Sequence, residues 1–101
     1  MARVVVSGEV RIEPEDFPAA MALVDPFVTR TQAEPGCLAY DFWVDPRDAG
    51  RIRVFEEWES EAAQQAHADS AHLAEFYAAL ATIRVHSVEL TQYLVATHRP
   101  L

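Results

Sequence analysis

The sequence predicts a small α+β domain whose elements run strand, helix, strand, strand, helix, strand. Alternating apolar and polar residues, typical of half-buried strands, occupy residues 3–12, 37–44, 51–58 and 85–97. Apolar residues at helical spacing fill the stretch between the first and second strands and the stretch between the third and fourth. The chain has 101 residues, so we expect residues 1–101 to form one domain.

The first strand and first helix have clear boundaries. In the strand, one face carries four apolar residues: Val4, Val6, Val10 and Ile12. The helix begins near Pro14, because proline is tolerated in a first turn and the two acids that follow suit the positive end of the helix dipole. Pro26 should kink this helix, and the sequence Glu34-Pro35-Gly36 should end it.

The second and third strands read as a hairpin joined by a polar turn at residues 45–50. In the second strand we expect one face to carry Leu38, Tyr40, Phe42 and Val44, and the other to carry Cys37, Ala39, Asp41 and Trp43. In the third strand Ile52, Val54, Glu56 and Trp58 share a face. Ser60 is a plausible N-cap, and a second cap at Ser70 should break the following helix in two.

This order is the ferredoxin-like βαββαβ arrangement, in which an antiparallel four-stranded sheet has its helices on one face. Several strands carry large apolar residues on both faces, which is unusual for a sheet with one face in water. We therefore expect the open face to be covered by a second copy of the chain in a homodimer.

Composition argues against two classes of partner. Acidic residues outnumber basic ones by 16 to 8, the net charge is −8, and no lysine or arginine cluster is present. Nucleic acids and anionic membranes are therefore disfavoured as partners. No apolar run approaches the roughly 20 residues of a membrane helix, and no signal peptide is evident, so we expect a cytoplasmic protein.

Several motifs carry a family resemblance. The stretch Glu34-Pro35-Gly36-Cys37-Leu38-Ala39-Tyr40 resembles a signature of the antibiotic biosynthesis monooxygenase family. Residues 55–63, Ala66-His67, and residues 70–73 with Phe76 resemble that family in the same order and spacing. The resemblance implies a dimeric α+β barrel. Some family members oxygenate aromatic phenols or quinols without metal or flavin, others degrade haem, and one branch isomerises a phosphorylated diketone.

The chain departs from the well-studied branches at three positions. Val54 stands where oxygenases of polyketide aromatics carry an asparagine. His67 and Tyr77 stand where haem degraders carry a catalytic tryptophan and a histidine. These departures disfavour haem degradation and leave oxygenation of a phenol or quinol as the first choice, with no cofactor and no metal.

Three residues are candidates for catalysis. His67 is the candidate base, because imidazole accepts a proton near neutral pH; its alternative role is a helix-end histidine with one backbone contact. Trp58 could donate its indole N–H to bound oxygen or to a backbone carbonyl. Glu56, on an apolar face, could be an acid or base, although an ion pair with an arginine (Arg53, Arg84 or Arg99) is the favoured interpretation.

We expect a pocket between sheet and helices, bordered by residues 66–77 and lined by Tyr40, His72, Phe76 and Tyr77. For His72 a helix-capping role is favoured. His67 and His72 make a poor metal pair, because they lie five residues apart and no third ligand is evident. Cys37 is expected to be a small buried hydrophobe.

Three functions remain open at this point. The first is oxygenation of a small aromatic phenol or quinol by molecular oxygen. The second is a dimeric binding module without turnover. The third is an isomerase of a small carbonyl compound, although an enzyme for phosphorylated substrates should have cations in its pocket and this chain has no lysine.

Overall fold

The computed structural model describes residues 2–101 and confirms the predicted order of elements. These are β1 (Arg3–Ile12), α1 (Phe17–Gln32), β2 (Cys37–Asp45), β3 (Asp48–Trp58), α2 (Glu61–Ala68), α3 (Ala71–Ala79) and β4 (Val85–Val95). Short 3-10 turns at Pro14–Asp16 and Leu80–Thr82 flank the helical segments. The four strands form one antiparallel sheet in the order β2-β3-β1-β4, which is the ferredoxin-like topology.

The helices α1, α2 and α3 all lie on one face of the sheet. Val4 and Trp58 from the sheet pack in one buried cluster with Phe27 of α1 and Leu73 of α3. A second cluster at the other end joins Ile12, Ala20, Ile52 and Ile83. The inward faces predicted for β1 and β3 are therefore confirmed.

The break between α2 and α3 is confirmed together with its two caps. Ser60 Oγ accepts a hydrogen bond from the Ala63 amide at 3.1 Å, and Ser70 Oγ accepts one from the Leu73 amide at 3.3 Å. Each cap satisfies a backbone N–H that the first helical turn leaves without a partner. By contrast, α1 runs without interruption through Pro26, and the kink expected there stays a prediction.

A β-bulge at the start of β2 overturns one predicted face. Cys37 lies opposite Trp58 and Ala39 lies opposite Glu57, so Leu38 is an extra residue on this strand. Cys37 therefore faces the core and Leu38 is 47% exposed, the reverse of the predicted alternation. The hairpin turn is also shorter than predicted, because β3 already begins at Asp48, and β4 ends at Val95 rather than residue 97.

Two parts of the sheet lack cover. No helix covers the edge strand β4, so Val88 and Leu90 are exposed although they point to the helical side. On the opposite face, Trp43, Phe55 and Tyr93 are exposed. Because these aromatic side chains are exposed, the homodimer stays a prediction. None of the helices within residues 2–101 is long and apolar enough to cross a membrane.

Candidate functional site

A cavity of about 340 Å³ lies between the sheet and the helices. Most of its wall is apolar, with side chains from every strand and from α1 and α3: Val6, Val10, Val24, Phe42, Ile52, Val54, Leu73, Phe76, Leu80, Ile83, Val88 and Leu90. Since Val88 and Leu90 are exposed, the cavity opens along β4. The site is therefore a largely apolar pocket with one open side.

Few polar side chains reach the cavity, and among residues 2–101 no arginine lines it. Glu56 and His67 line its wall, and Tyr40 joins them from β2. Gln92 Nε2 donates to Gln64 Oε1 at 2.7 Å, which links β4 to α2. The polar groups of the site therefore come from β2, β3, β4 and α2.

His67 is held firmly at the end of α2. It is only 4% exposed, and its Nδ1 lies 2.6 Å from Glu34 Oε2. Its ring lies 4.9 Å from the Trp58 ring and 5.2 Å from the Tyr40 ring, measured between centroids. A carboxylate can only accept, so Nδ1 carries the proton and Nε2 is the nitrogen left for a molecule in the cavity.

The loop after α1 brings Glu34 to His67, and Gly36 makes this possible. Gly36 has φ of +81°, a conformation that favours glycine. A Cβ at this position would lie 2.6 Å from the Cβ of Ala63, so the missing side chain lets α2 pack directly on the loop. Glu34 belongs to the motif at residues 34–40, but no spacing pattern predicts its role at the site.

His72 does not line the cavity, and it does not cap α3. Its Nε2 lies 3.2 Å from both Glu34 Oε2 and Thr31 Oγ1, while Ser70 provides the cap. The predictions of a capping role and of a place on the pocket wall are therefore wrong. The bend between α2 and α3 turns this ring behind His67, where both imidazoles share one carboxylate oxygen.

A third potential metal ligand does exist, contrary to expectation. One ligand atom each from Glu34, His67 and His72 lies within 4.8 Å of the others. However, two ligands on a tetrahedral metal with bonds of ~2.0–2.1 Å lie about 3.3 Å apart. The 2.6 Å contact between His67 and Glu34 is a charge-assisted hydrogen bond instead. A metal ion could be held here only if that hydrogen bond were broken.

Trp58 and Glu56 bond to each other. The Trp58 side chain is fully buried, and its Nε1 donates to Glu56 Oε1 at 3.0 Å. Trp58 does not line the cavity, and its N–H bonds to Glu56 rather than to a backbone carbonyl, so the predicted backbone partner is wrong. The favoured ion pair of Glu56 is wrong as well; Arg84, one candidate partner, instead pairs with Asp16 at 3.0 Å.

Burial controls the electrostatics of this wall. Glu56 is 6% exposed, and burial raises the pKa of its carboxyl group, although the Trp58 N–H and the nearby His67 oppose the shift. Burial also raises the pKa of Tyr40 strongly, so its phenol keeps its proton at any working pH. The wall therefore combines one buried carboxyl group, one imidazole and one permanent hydroxyl group.

The predicted aromatic residues flank the polar groups. Phe76 lines the cavity and stacks on Phe27, with ring centroids 4.1 Å apart and planes 10° apart. Tyr77 also lines the cavity, but it is 62% exposed and lies toward solvent. Of the seven predicted site residues, the structure brings five to the cavity: Tyr40, Glu56, His67, Phe76 and Tyr77.

Comparison with known proteins decides the family. Residues 3–79 match the family model described as antibiotic biosynthesis monooxygenase. The chain belongs to this family. The match ends with α3, so the strand beside the open side of the cavity lies outside it.

Relatives extend the similarity over the whole fold. The Mycobacterium tuberculosis protein named "Putative monooxygenase Rv0793" is 32% identical over 78 residues, covering 77% of this chain and 76% of that protein. Its structure superimposes with a TM-score of 0.85 at 26% identity, covering 98% of this chain and 100% of that one. An uncharacterized Synechocystis protein is 26% identical over 98 residues, which is 97% of this chain and 67% of that protein.

A Deinococcus radiodurans structure described as a "putative antibiotic biosynthesis monooxygenase" superimposes with a TM-score of 0.88 at 21% identity. It covers 97% of each chain and shows the shared fold.

In this member of the monooxygenase family, the residues of the signature at positions 34–40 have defined structural roles. Glu34 holds the His67 ring, Gly36 allows the loop to pack under α2, and Tyr40 lines the cavity. Phe27, an apolar residue of α1, packs against the His67, His72, Tyr40 and Phe76 rings. The motif thus builds one wall of the pocket.

Proposed function

We propose that the protein is a cofactor-independent monooxygenase that acts on an aromatic phenol or quinol. One observation carries the proposal: the Glu34 carboxylate fixes Nδ1 of the buried His67, which leaves Nε2 as a base beside an apolar cavity. A carboxylate–imidazole pair is a common way to orient a base and to stabilise it once protonated.

The proposed reaction begins when His67 Nε2 removes a proton from a substrate hydroxyl group. The resulting anion transfers an electron to O₂, and the two radicals combine to form a carbon–oxygen bond to a peroxide. The protonated His67 then returns a proton as the O–O bond breaks. One oxygen atom remains in the product and the other leaves as water, so a quinol becomes a hydroxyquinone with no external reductant.

The surroundings of His67 suit each of these steps. Apolar walls on the closed sides of the cavity limit contact between water and the reduced oxygen species, which favours its combination with the substrate over its escape. The protonated imidazole can donate to the peroxide as charge develops there, and the Tyr40 hydroxyl group lines the same cavity. Trp58 does not have this role in our proposal, because its N–H is bonded to Glu56.

Cavity size and charge narrow the substrate. An engineered cavity of roughly 150 Å³ holds benzene, so a cavity of about 340 Å³ has room for a two-ring aromatic compound. No arginine lines the cavity, and the chain has no lysine. An isomerase for phosphorylated carbonyl compounds would need such cations, so this alternative has less support.

The working unit in our proposal is a homodimer with one cavity in each subunit. The exposed aromatic side chains Trp43, Phe55 and Tyr93 on the open face of the sheet support it. Light scattering at micromolar concentration should report twice the chain mass of 11.3 kDa. A stable monomer would contradict this part of the proposal.

The deciding experiment measures oxygen uptake by chelator-treated protein with a panel of hydroquinones and anthrones. We expect uptake with at least one two-ring compound, and ¹⁸O₂ should place one labelled atom in the product and one in water. The Glu57→Gln variant is the control and should keep the oxygen uptake of the parent, since Glu57 lies on the opposite face of β3 and pairs with Arg3. Substrate binding without oxygen uptake would identify the non-catalytic binding module instead.

A further inference from the structure

The cavity runs along the strands of the sheet. Glu56, Val54 and Ile52 are alternate residues of β3, so their side chains point to the same face, and all three line the cavity. A strand rises about 3.3 Å per residue, so Glu56 and Ile52 lie roughly 13 Å apart along β3. These two residues therefore lie toward opposite ends of the cavity.

The end at Glu56 is polar. Three members of one cross-strand row carry polar side chains that line the cavity: Tyr40 of β2, Glu56 of β3 and Gln92 of β4. Two side chains of α2 meet this row. Gln64 accepts a hydrogen bond from Gln92 at 2.7 Å, and the His67 ring lies 5.2 Å from the Tyr40 ring. This end therefore offers both donors and acceptors to a polar group of a ligand.

The end at Ile52 is aliphatic. Its wall comes from β1, β3, α1 and the turn after α3, through Val10, Ile12, Ala20, Ile52, Leu80 and Ile83. Among residues 2–101, the one polar lining residue outside the Glu56 end is Tyr77, which is 62% exposed and lies toward solvent. A polar group placed among the isoleucines would therefore lose its hydration without gaining a side-chain partner.

We infer that the cavity binds its ligand in one orientation, with the phenolic group at the Glu56 end and an unsubstituted hydrocarbon part, a second ring or an alkyl chain, at the Ile52 end. In this orientation both parts of the ligand meet a wall of their own polarity, whereas the reverse orientation buries the phenolic oxygen without a partner. The inference rests on the proposed function for the phenolic group. It adds that substrates with a polar substituent far from the reacting ring are excluded.

The isoleucines provide a direct readout of this orientation. The chain has three, Ile12, Ile52 and Ile83, and all of them line the aliphatic end. The experiment is NMR of protein with ¹³C-labelled isoleucine methyl groups, mixed with 4-hexylphenol in the absence of oxygen. We expect nuclear Overhauser effects between these methyl groups and the terminal methyl group of the hexyl chain, and none with the ring protons of the phenol. Contacts with the ring protons instead of the chain end would overturn the inference.

A second measurement compares the affinities of 4-hexylphenol and 4-ethylphenol by anaerobic calorimetry. Burial of hydrocarbon should strengthen binding ~3-fold for each added methylene group in the parent. Ala20→Met extends a side chain into the aliphatic end and should reduce the hexyl-to-ethyl affinity ratio by ~10-fold. Ala19→Met is the matched control, because Ala19 is exposed on the same helix and does not line the cavity. An unchanged ratio in folded Ala20→Met, or no binding of 4-hexylphenol by the parent, would overturn the inference.

Failure of this inference is distinguishable from failure of the proposed function. Binding of 4-hexylphenol with its chain end at the isoleucines, but no oxygen uptake with any quinol, would uphold the orientation and reject the monooxygenase. Oxygen uptake together with the reversed contact pattern would do the opposite.

Discussion

Nδ1 of His67 lies 2.6 Å from Oε2 of Glu34, although the two residues are 33 positions apart in the chain. This contact joins the loop after α1 to the end of α2, and it leaves the other ring nitrogen without a partner in the pair. Both side chains are largely buried, at 5% and 15% exposure, so solvent screens the pair only weakly. The proposed chemistry depends on this pair.

Replacing Glu34 by glutamine should impair turnover more than binding. The amide keeps the shape of the side chain, but it no longer fixes which nitrogen of His67 carries the proton. We expect kcat to fall ~10²–10⁴-fold, as for loss of the base itself, with KM changing little because Glu34 does not line the cavity. Glu59→Gln, an exposed change beside Gly36, is the control. Parent-like kcat in Glu34→Gln would remove Glu34 from the mechanism.

The bond between Trp58 and Glu56 should be measurable as a coupling energy. Trp58→Phe leaves a buried carboxyl group without its donor, which costs ~1–3 kcal/mol beyond the lost volume. A double-mutant cycle with Glu56→Met, which removes the acceptor oxygens but keeps a side chain of similar length, isolates that coupling when measured by urea unfolding. Tyr77→Phe, at a residue 62% exposed and away from the open sheet face, should change stability by less than about 0.5 kcal/mol. Additive effects of the two buried changes would contradict the hydrogen bond.

Burial of Glu56 should make stability depend on pH. Burial raises the pKa of its carboxyl group above the usual value of about 4.5, so the folded state holds the proton over a pH range where the unfolded state has lost it. The folded state therefore loses stability as pH rises from about 4.5 through the folded pKa, and is affected no further above it. Thermal unfolding of the parent and Glu56→Gln across pH should show the variant gaining relative stability over this window. A difference independent of pH would contradict the assignment.

Gly36→Ala should destabilise the protein and move Glu34 away from His67. The backbone there has φ of +81°, and a new Cβ would lie 2.6 Å from that of Ala63. We expect a loss of ~2 kcal/mol or more in the free energy of unfolding. Ala33→Gly, at a residue with φ of −86°, should cost no more than ~1 kcal/mol. Equal costs would show that the positive φ and the close packing are not needed.

Much of the fold is readable in the sequence, because hydrophobic periodicity and helix caps are local signals. The inward faces of β1 and β3 and the break at Ser70 belong to this class. The bulge at Leu38 could not be predicted in this way, since the alternation of apolar residues in β2 shows no change at that position. Its position depends on pairing with β3, which local patterns do not encode.

The site likewise contains residues that local sequence signals predict and contacts that depend on tertiary packing. His67, Phe76 and Tyr77 come from the predicted segment, and they line the cavity. The partner of His67 could not be inferred from spacing, because Glu34 meets it only through packing of the loop on α2. Glu56 and Trp58 were expected to share a strand face, but their mutual hydrogen bond depends on side-chain rotamers that a sequence pattern does not specify.

The most direct test of the central claim is kcat of His67→Ala across a pH series, with a quinol that the parent oxidises. Loss of the general base should lower kcat ~10²–10⁴-fold while the apolar walls keep KM nearly unchanged. Raising the pH should restore part of the rate, because more of the substrate is then already deprotonated. Parent-like kcat at every pH would assign His67 to structure and would leave Glu56 or solvent as the base.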